Sequence, residues 1–275
     1  MAFNPNELIL DKVRQLTAHD LDTGEILLRL TQLEEPTLST SAEGEEVTDA
    51  VGALITTMYR AKQATFSATN SLLSLELAAA QYGTKKMEAS DESKFVDYAY
   101  EILPVVVPKD EEGNPTGDPA FVKLSHTPIE GSVGYVYVIE NNEIKKSYPA
   151  DGATADEKKA AVAADGTITL PTPVTSGKIY VEYNFENSEA VKIVNSADNF
   201  PTAVSVVIHA LFRDVCNENK VYAGKIICHK AKLNPESIEM TLTSTGKHPF
   251  EFRMLKDYCS EDAELFTIIV SGQDK

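Results

Sequence analysis

The sequence predicts a mainly β protein, with a sandwich- or barrel-type core that contains one α-helix and an inserted immunoglobulin-like β-sandwich. Apolar and polar residues alternate with a period of two in several segments, and Gly, Pro, Asn and Asp mark the turns between short runs. Near residue 104 the segments become short and the turns frequent, which is typical of a small β-sandwich. We therefore expect a core of residues 1–103 and 187–275, and an insertion at 104–186.

The charge of the chain limits its classes of partner. The 275 residues include 42 acidic and 25 Lys or Arg side chains, for a formal net charge of −17. Specific DNA binding is not expected, because it requires basic side chains that neutralise phosphates. No tract of about 18 apolar residues is present, and Glu7 and Asp11 interrupt the N-terminal apolar patch, unlike in a signal peptide. We expect a soluble protein that folds in a cytoplasm and has no membrane partner.

The cysteines, histidines and short motifs predict no chemistry. Cys216, Cys228 and Cys259 are odd in number and lack CxxC spacing, so we expect reduced cysteines in apolar surroundings. A metal site of Cys228, His229 and His209 is the alternative, but neighbouring residues of a strand point to opposite faces. The sequence contains no P-loop, GxGxxG, GxSxG or HExxH pattern. We expect no enzyme, no cofactor and no metal.

The N-terminal region predicts a hairpin followed by an acidic loop. Residues 13–18 and 25–33 flank a turn at 21–24 that is rich in residues tolerating left-handed geometry, although 8–16 alone also fits a short amphipathic helix. Residues 36–51 are rich in Ser, Thr, Gly and Glu and lack Lys and Arg, which indicates a negative loop. The candidate residues of this loop for contacts between subunits or rings are Glu43, Glu45, Glu46 and Asp49.

Residues 52–68 predict an unusually long strand. They are rich in β-branched and aromatic residues, lack Pro, and would extend for roughly 55 Å. Such a strand needs partners along its whole length, which a small monomer rarely supplies; an ordinary buried strand is the alternative. The candidate residues on it are Thr56, Met58, Tyr59, Arg60, Lys62 and Phe66. Simple alternation places Arg60 and Lys62 on one face.

A helix and a set of C-terminal strands complete the predicted core. Residues 71–82 have the apolar spacing of a helix, with a cap at Asn70-Ser71 and a terminating Gly83. Alternating segments then predict an antiparallel meander. Its strands are expected at 204–212, 221–233, 238–242, 250–254 and 265–271.

This order of elements resembles that of phage tail-tube subunits. The resemblance is strongest in Ser41 to Gly52 with the following TTMYRAKQATFSATNSLLSLELAAAQYG, and in VYAGKIICHKAKLNPESIEMTLTSTGKHPFEF. It covers about residues 1–100 and 190–275, while the middle resembles the immunoglobulin-like insertions of phage structural proteins. Long hairpins with one helix also occur in the tube protein of type VI secretion.

The resemblance implies a ring, typically hexameric, in which the long hairpins of neighbouring copies join into one β-barrel around a channel. Stacked rings would form the tube of a virion tail that is assembled in the host cytoplasm, with sheath, tape-measure and tail-terminator proteins as further partners. DNA would pass through an acidic channel without specific binding. Alternatives are a head-decoration or capsid-associated protein, a carbohydrate-binding or adhesive module with an exposed aromatic platform, and a hydrolase.

Overall fold

A computed structural model describes residues 7–150, 154–215, 217, 219–236, 238–240, 243, 246–258 and 263–274. The described part is mainly β with a single helix, as the sequence predicts. In chain order the elements are β1 (Leu8–Asp20), β2 (Ile26–Leu30), β3 (Leu33–Thr48), β4 (Leu54–Asn70), α1 (Leu75–Gln81), β5 (Met87–Glu88), β6 (Phe95–Pro104), β7 (Phe121–Lys123), β8 (Tyr135–Glu140), β9 (Glu143–Pro149), β10 (Ala161–Val162), β11 (Thr167–Thr169), β12 (Lys178–Asn187), β13 (Val191–Lys192), β14 (Ala203–Asp214), β15 (Val221–Leu233), β16 (His248–Met254) and β17 (Thr267–Asp274).

The chain divides into two compact units. The first comprises Met1–Lys86 and Ile193–Lys275, and the second comprises Met87–Lys192. The change of composition near residue 104, which suggested an insertion at 104–186, marks the end of strand β6 rather than the start of the second unit. β6 belongs to that unit because it pairs with β12 along its whole length.

The first unit is built on one sheet with the strand order β2-β1-β14-β15-β16-β4-β3, and β17 also pairs with β15. Alternation explains how its strands form the core: Val204, Val206 and Ile208 of β14 are buried, while the residues between them are half-buried. Phe66 of β4 and Phe252 of β16 are buried in the same cluster. Burying each large apolar side chain contributes about 1.5–3 kcal/mol to folding.

The predicted N-terminal hairpin forms, but its first strand is longer than expected. Leu16 of β1 pairs with Leu30 of β2 across the turn. β1 begins at Leu8, so the alternative of an amphipathic helix at 8–16 is wrong. The extra length is stabilised by β14, which pairs with β1 from Leu8 onwards.

The predicted acidic loop at 36–51 is wrong, because most of it is strand. β3 pairs antiparallel with β4 from Leu33↔Asn70 to Thr48↔Leu54. The predicted long strand is confirmed as β4, with 17 residues. A strand of that length supplies backbone partners to the neighbouring segment, and this pairing outweighs the loop-favouring composition of β3.

Helix α1 is shorter than predicted, and its end is the predicted one. The N-cap is Ser74, whose Oγ accepts a hydrogen bond from the Leu77 N–H at 3.2 Å, so the expected cap at Asn70-Ser71 is wrong. Gly83 follows the C-cap with a φ of +67°, where glycine is favoured. The Thr84 N–H donates to the Ala79 carbonyl at 2.9 Å and closes the helix. Within the described residues, no helix is long and apolar enough to cross a membrane.

The C-terminal strands depart from a simple meander. β14, β15 and β16 are consecutive antiparallel neighbours, but residues 238–240 are not strand, and 241 and 242 lie outside the described residues. β17 returns to β15, where Ile268 pairs with Ile226. It can do so because β16 pairs only with Ala231–Leu233 of β15, which leaves an open edge along the rest of β15.

In the second unit, a three-stranded and a four-stranded sheet share one core. Their orders are β10-β11-β7 and β6-β12-β8-β9. Val122 and Ile168 of the smaller sheet and Ile179, Val181 and Tyr183 of the larger sheet are buried in one cluster. This packing of two antiparallel sheets is that of a β-sandwich. A separate pairing of β5 with β13 places Met87 beside Lys192.

Candidate functional site

The outer half of the β3–β4 hairpin projects beyond the rest of the first unit. Every side chain from Ser39 to Gln63 is exposed or half-buried, whereas Ala64 and Phe66 are buried. The change occurs at residue 64 because β16 pairs with β4 only from Ala64 to Asn70. We call residues 39–63 the arm.

Both edges of the arm carry backbone groups without a strand partner in the described part of the chain. β3 is the last strand of its sheet, and residues 54–63 of β4 pair only with β3. Unpaired strand edges are templates for pairing with another chain. The arm therefore has the geometry for edge-to-edge association.

Large apolar side chains of the arm are exposed to solvent. Tyr59 is 75% exposed, and the others are Val51, Leu54, Ile55 and Met58. Several large apolar side chains exposed within one segment are typical of an interaction surface. Thr56, Met58, Tyr59, Arg60 and Lys62 are thus accessible, as a contact surface requires. Phe66, the remaining candidate on this strand, lies in the core at 6.4 Å from the Phe250 ring.

The two faces of the arm differ in chemistry. On one face, Glu43 pairs with Arg60 and Glu45 pairs with Met58 across the strands. Arg60 Nη2 lies 3.3 Å from Glu45 Oε2, but both side chains are more than half exposed, so this pair contributes at most about 1 kcal/mol. On the other face, the Tyr59 ring lies over Gly44. One face therefore carries Glu43, Glu45 and Arg60, and the other carries Tyr59 with Glu46.

A β-bulge corrects the predicted orientation of the basic residues. Ser41 pairs with Gln63 and Glu43 with Arg60, so β4 contains one extra residue between these pairs. Ala61 lies within this bulge and has a φ of +52°. Arg60 therefore shares its face with Gln63, and simple alternation does not place Arg60 and Lys62 together.

The predicted acidic candidates are separated by local structure. Glu43, Glu45 and Glu46 lie on strand β3 and are exposed. Asp49 lies in the turn that follows, where its Oδ1 accepts hydrogen bonds from the Val51 and Ala53 N–H groups at 3.0 and 2.7 Å. Asp49 shapes the turn, whereas the three glutamates have carboxylates that another molecule can approach.

The alternative metal site is not assembled. Cys228 is buried while His229 is exposed on the opposite face of β15, and Cys216 lies outside the described residues, as does Cys259. Burial raises the pKa of the Cys228 thiol to about 11. No group of three His, Cys, Asp or Glu side chains among the described residues could hold a metal ion. Cys228 is thus the buried, reduced cysteine that the sequence predicts.

A cationic groove on the sheet of the first unit is a feature that the sequence did not reveal. The groove has a volume of about 740 Å³, and Arg14, Arg29 and Lys225 line it. These residues come from β1, β2 and β15, and only the sheet register brings them together. Spacing along the chain gives no signal for such a group.

Tyrosines on the outer face of the larger sheet in the second unit are a further feature missed from the sequence. The Tyr137 ring centroid lies 5.9 Å from that of Tyr180, which lies 6.2 Å from that of Tyr100. The hydrogen bond to Glu182 raises the pKa of Tyr180 to about 12. The alternation of Tyr98 and Tyr100 with half-buried residues of β6 is a signal that could have found this face. We call these four tyrosines, with Tyr135, the tyrosine face.

Comparison with known proteins supports a tube-type structural protein, which is the broader part of the tail-tube resemblance. Searched against curated proteins, the sequence has no significant match. A family model, that of the YomU/Tube protein family, matches residues 8–268 and so spans both units and the whole arm. The chain therefore belongs to the YomU/Tube protein family.

Proposed function

We propose that this chain is the subunit of a phage tail tube and assembles through its arm into stacked rings, typically hexameric. The observation that supports this most directly is an arm that is exposed on both faces and has no further strand partner among the described residues along either edge. Membership in a tube family supports the same conclusion. The protein acts as a building block and not as an enzyme.

Edge-to-edge pairing gives a physical route from the arm to a ring. Two neighbouring arms satisfy the backbone groups of each other's open edges. When a heterologous contact repeats around a rotation axis it closes into a ring, and a closed barrel has no edges left. Stacking of rings along the same axis then produces the tube.

Within such a tube, an acidic channel lets DNA pass without specific binding. The arm contains four acidic and two basic residues, and the whole subunit has a net charge of −17. A surface of like charge repels phosphates. Sheath, tape-measure and tail-terminator proteins are the further partners in the virion tail, and assembly takes place in the host cytoplasm.

The second unit is proposed to be an immunoglobulin-like domain carried by the tube subunit. Its two packed antiparallel sheets and single apolar core support this class. The short pairing of β5 with β13, which brings the two ends of the unit together, supports an inserted domain.

Light scattering and negative-stain electron microscopy of purified protein test the proposed function. A matched variant replaces residues 42–62 with Asn-Gly, a two-residue turn that connects the paired Ser41 and Gln63. We expect rings or tubes from the full chain and a folded monomer from the variant. The proposal would be contradicted if the full chain stayed monomeric at high concentration and was also monomeric in virions.

The tyrosine face favours a second role as an adhesive module. Tyrosine combines a flat apolar ring with a polar hydroxyl, and the polar residues Glu182 and Asn184 of β12 lie in register with Tyr100 and Tyr98 of β6. Such a surface suits carbohydrate rings, which also present apolar faces and hydroxyls. Retention on polysaccharide columns tests this role: Tyr98→Ala with Tyr100→Ala should abolish retention, while the arm-shortened variant should keep it.

A further inference from the structure

We infer that the cationic groove of one copy receives the acidic arm of a neighbouring copy. This inference rests on the proposed function and names a surface that one face of the arm contacts, in addition to the edges of neighbouring arms. The groove lies on β1, β2, β14, β15 and β17 of the first unit. The arm is on β3 and β4, so each copy has both a donor and an acceptor surface.

The groove differs in charge from the rest of the chain. Arg14, Arg29 and Lys225 line it, and no acidic side chain is among its described lining residues. The chain as a whole has 42 acidic residues against 25 Lys and Arg, so a group of cations without neighbouring carboxylates is unusual for its surface. None of the three makes an ion pair with a described residue. The groove therefore has cations available for a partner's carboxylates.

Sheet register fixes the backbones of the three cationic residues, and one hydrogen bond orients Arg29. Arg29 Nε donates to Gln15 Oε1 at 3.2 Å, which orients the guanidinium across β1. Lys225 lies in register with Ile269 of β17. Because these residues are on paired strands, docking requires no ordering of the groove's backbone, and the cost is confined to the exposed side chains.

The apolar part of the groove matches the arm as well. Leu211, Ile227 and Ile269 line the groove beside the cations. One face of the arm combines Glu43 and Glu45 with exposed Met58. An interface with an apolar centre and a charged rim has this composition.

The same chemistry favours the arm over DNA as the occupant. Phosphate binding by proteins requires cations but no apolar surface. A net charge of −17 opposes the approach of DNA, whereas the arm presents its carboxylates at high local concentration within an assembly. A second copy of the chain is therefore the occupant that satisfies both the charge and the apolar surface.

A charge-swap experiment on the full chain tests this docking. One variant carries Arg14→Glu and Lys225→Glu, and a second carries Glu43→Lys and Glu45→Lys, which share one face of the arm. Lys145→Glu with Lys146→Glu on exposed β9 is the control matched in charge. Sedimentation measures association, and electron microscopy separately records tubes. We expect the groove and arm variants each to associate at least about tenfold more weakly, the control to behave like the unmodified chain, and the mixture of groove and arm variants to recover association to within about threefold.

Each other outcome decides a different part of the account. Tubes that form normally from the groove variant overturn the docking and leave the tube function standing. If the copies associate through the groove charges but electron microscopy shows no tubes, the result supports the docking and contradicts the proposed tube function. A chain that remains monomeric under all conditions overturns both. A further outcome is that the unmodified chain binds a short DNA duplex, and that Arg14→Glu with Lys225→Glu abolishes this binding while self-association stays unchanged. That outcome would identify the groove as a phosphate site.

Discussion

The ring of Tyr59 covers Gly44, its cross-strand partner in the arm. A Cβ atom at Gly44 would lie 3.3 Å from Tyr59 Cε1 and 3.2 Å from Thr57 Cγ2, so the absence of a side chain lets the ring lie flat on β3. Tyr59 is nevertheless 75% exposed, because no described residue of its own chain covers the other side of the ring. A neighbouring copy can therefore bury a ring that is already held in place.

This arrangement predicts that Tyr59→Ala prevents assembly without unfolding the subunit. The change should alter the free energy of unfolding by less than about 0.5 kcal/mol, since the side chain is exposed. Loss of a central aromatic residue weakens an interface by about 2 kcal/mol or more. Thermal unfolding and light scattering measure the two effects. Tyr59→Phe keeps the ring and should still assemble; equal loss of assembly in both variants would assign the effect to the hydroxyl instead.

The paired ends of the second unit predict that it can be removed. Met87 and Lys192 are neighbours in the β5–β13 pair, so a Gly/Ser linker of a few residues can connect Lys86 to Ile193. We expect the first unit to fold, with its own core intact, and to assemble. Circular dichroism and electron microscopy check both expectations. An unfolded product with every linker length tried would mean that the first unit depends on the second for folding.

A buried hydroxyl in the second unit predicts a loss of stability on a minimal substitution. The Tyr183 Oη donates to Glu101 Oε1 and accepts a hydrogen bond from the His126 N–H at 3.2 Å. Burial, together with the Glu101 carboxylate, raises the pKa of Tyr183 to about 12. Tyr183→Phe should lower the free energy of unfolding by about 1–3 kcal/mol, because it removes partners from a charged and a backbone group. Urea unfolding measures this, with Tyr135→Phe on the exposed face as the control.

The same contact determines how the second unit responds to acid. Burial opposes ionisation of Glu101, but hydrogen bonds from Tyr183 and Ser125 outweigh it and hold the pKa of this carboxyl below its ordinary value of 4.5. A carboxyl with a lowered folded-state pKa stabilises the fold above its ordinary pKa. That stability is lost as the pH falls from about 4.5 through the folded-state pKa. Tyr183→Phe should therefore reduce the acid dependence of the unfolding free energy below pH 4.5.

A buried histidine predicts acid sensitivity of the first unit at a higher pH. His248 is fully buried, its Nε2 lies 2.6 Å from Gln81 Oε1, and its Nδ1 has no partner among the described residues. Burial lowers the pKa of His248 below 6.5, so the unfolded chain binds the proton first. The free energy of unfolding should fall as the pH drops below about 7 towards the folded-state pKa. His248→Gln should remove this dependence, and His229→Gln, on the exposed face of β15, should leave it unchanged.

The sequence predicts those parts of the fold that local patterns determine. β4 follows from its β-branched and aromatic residues, and the end of α1 follows from Gly83, whose positive φ suits glycine. β3 was missed because Ser, Thr, Gly and Glu favour loops locally, while its strand conformation arises from pairing with β4. Short strands predict a separate unit in the middle of the chain, and the boundary of the second compact unit depends on the pairing of β6 with β12.

The sequence predicts the parts of the candidate site that one continuous segment of chain forms, and it gives no signal for the parts that separate strands bring together. The exposed residues of the arm, such as Tyr59 and Arg60, are contiguous in sequence and were identified as candidates. The Ala61 bulge was not, because its positive φ has no signature in an alanine. The cationic groove combines Arg14, Arg29 and Lys225 from three strands, and only the register of the sheet brings these charges together.

Backbone amide hydrogen exchange of the arm tests most directly whether its open edges pair with other copies. In the monomer, the outward-pointing amides of residues 39–48 and 54–63 have no strand partner in the described chain, so we expect them to exchange rapidly. After assembly, we expect slow exchange at both edges of the arm and unchanged exchange in β8, which lies in the second unit. Assembled tubes in which the outward amides still exchange as fast as in the monomer would contradict pairing through the arm.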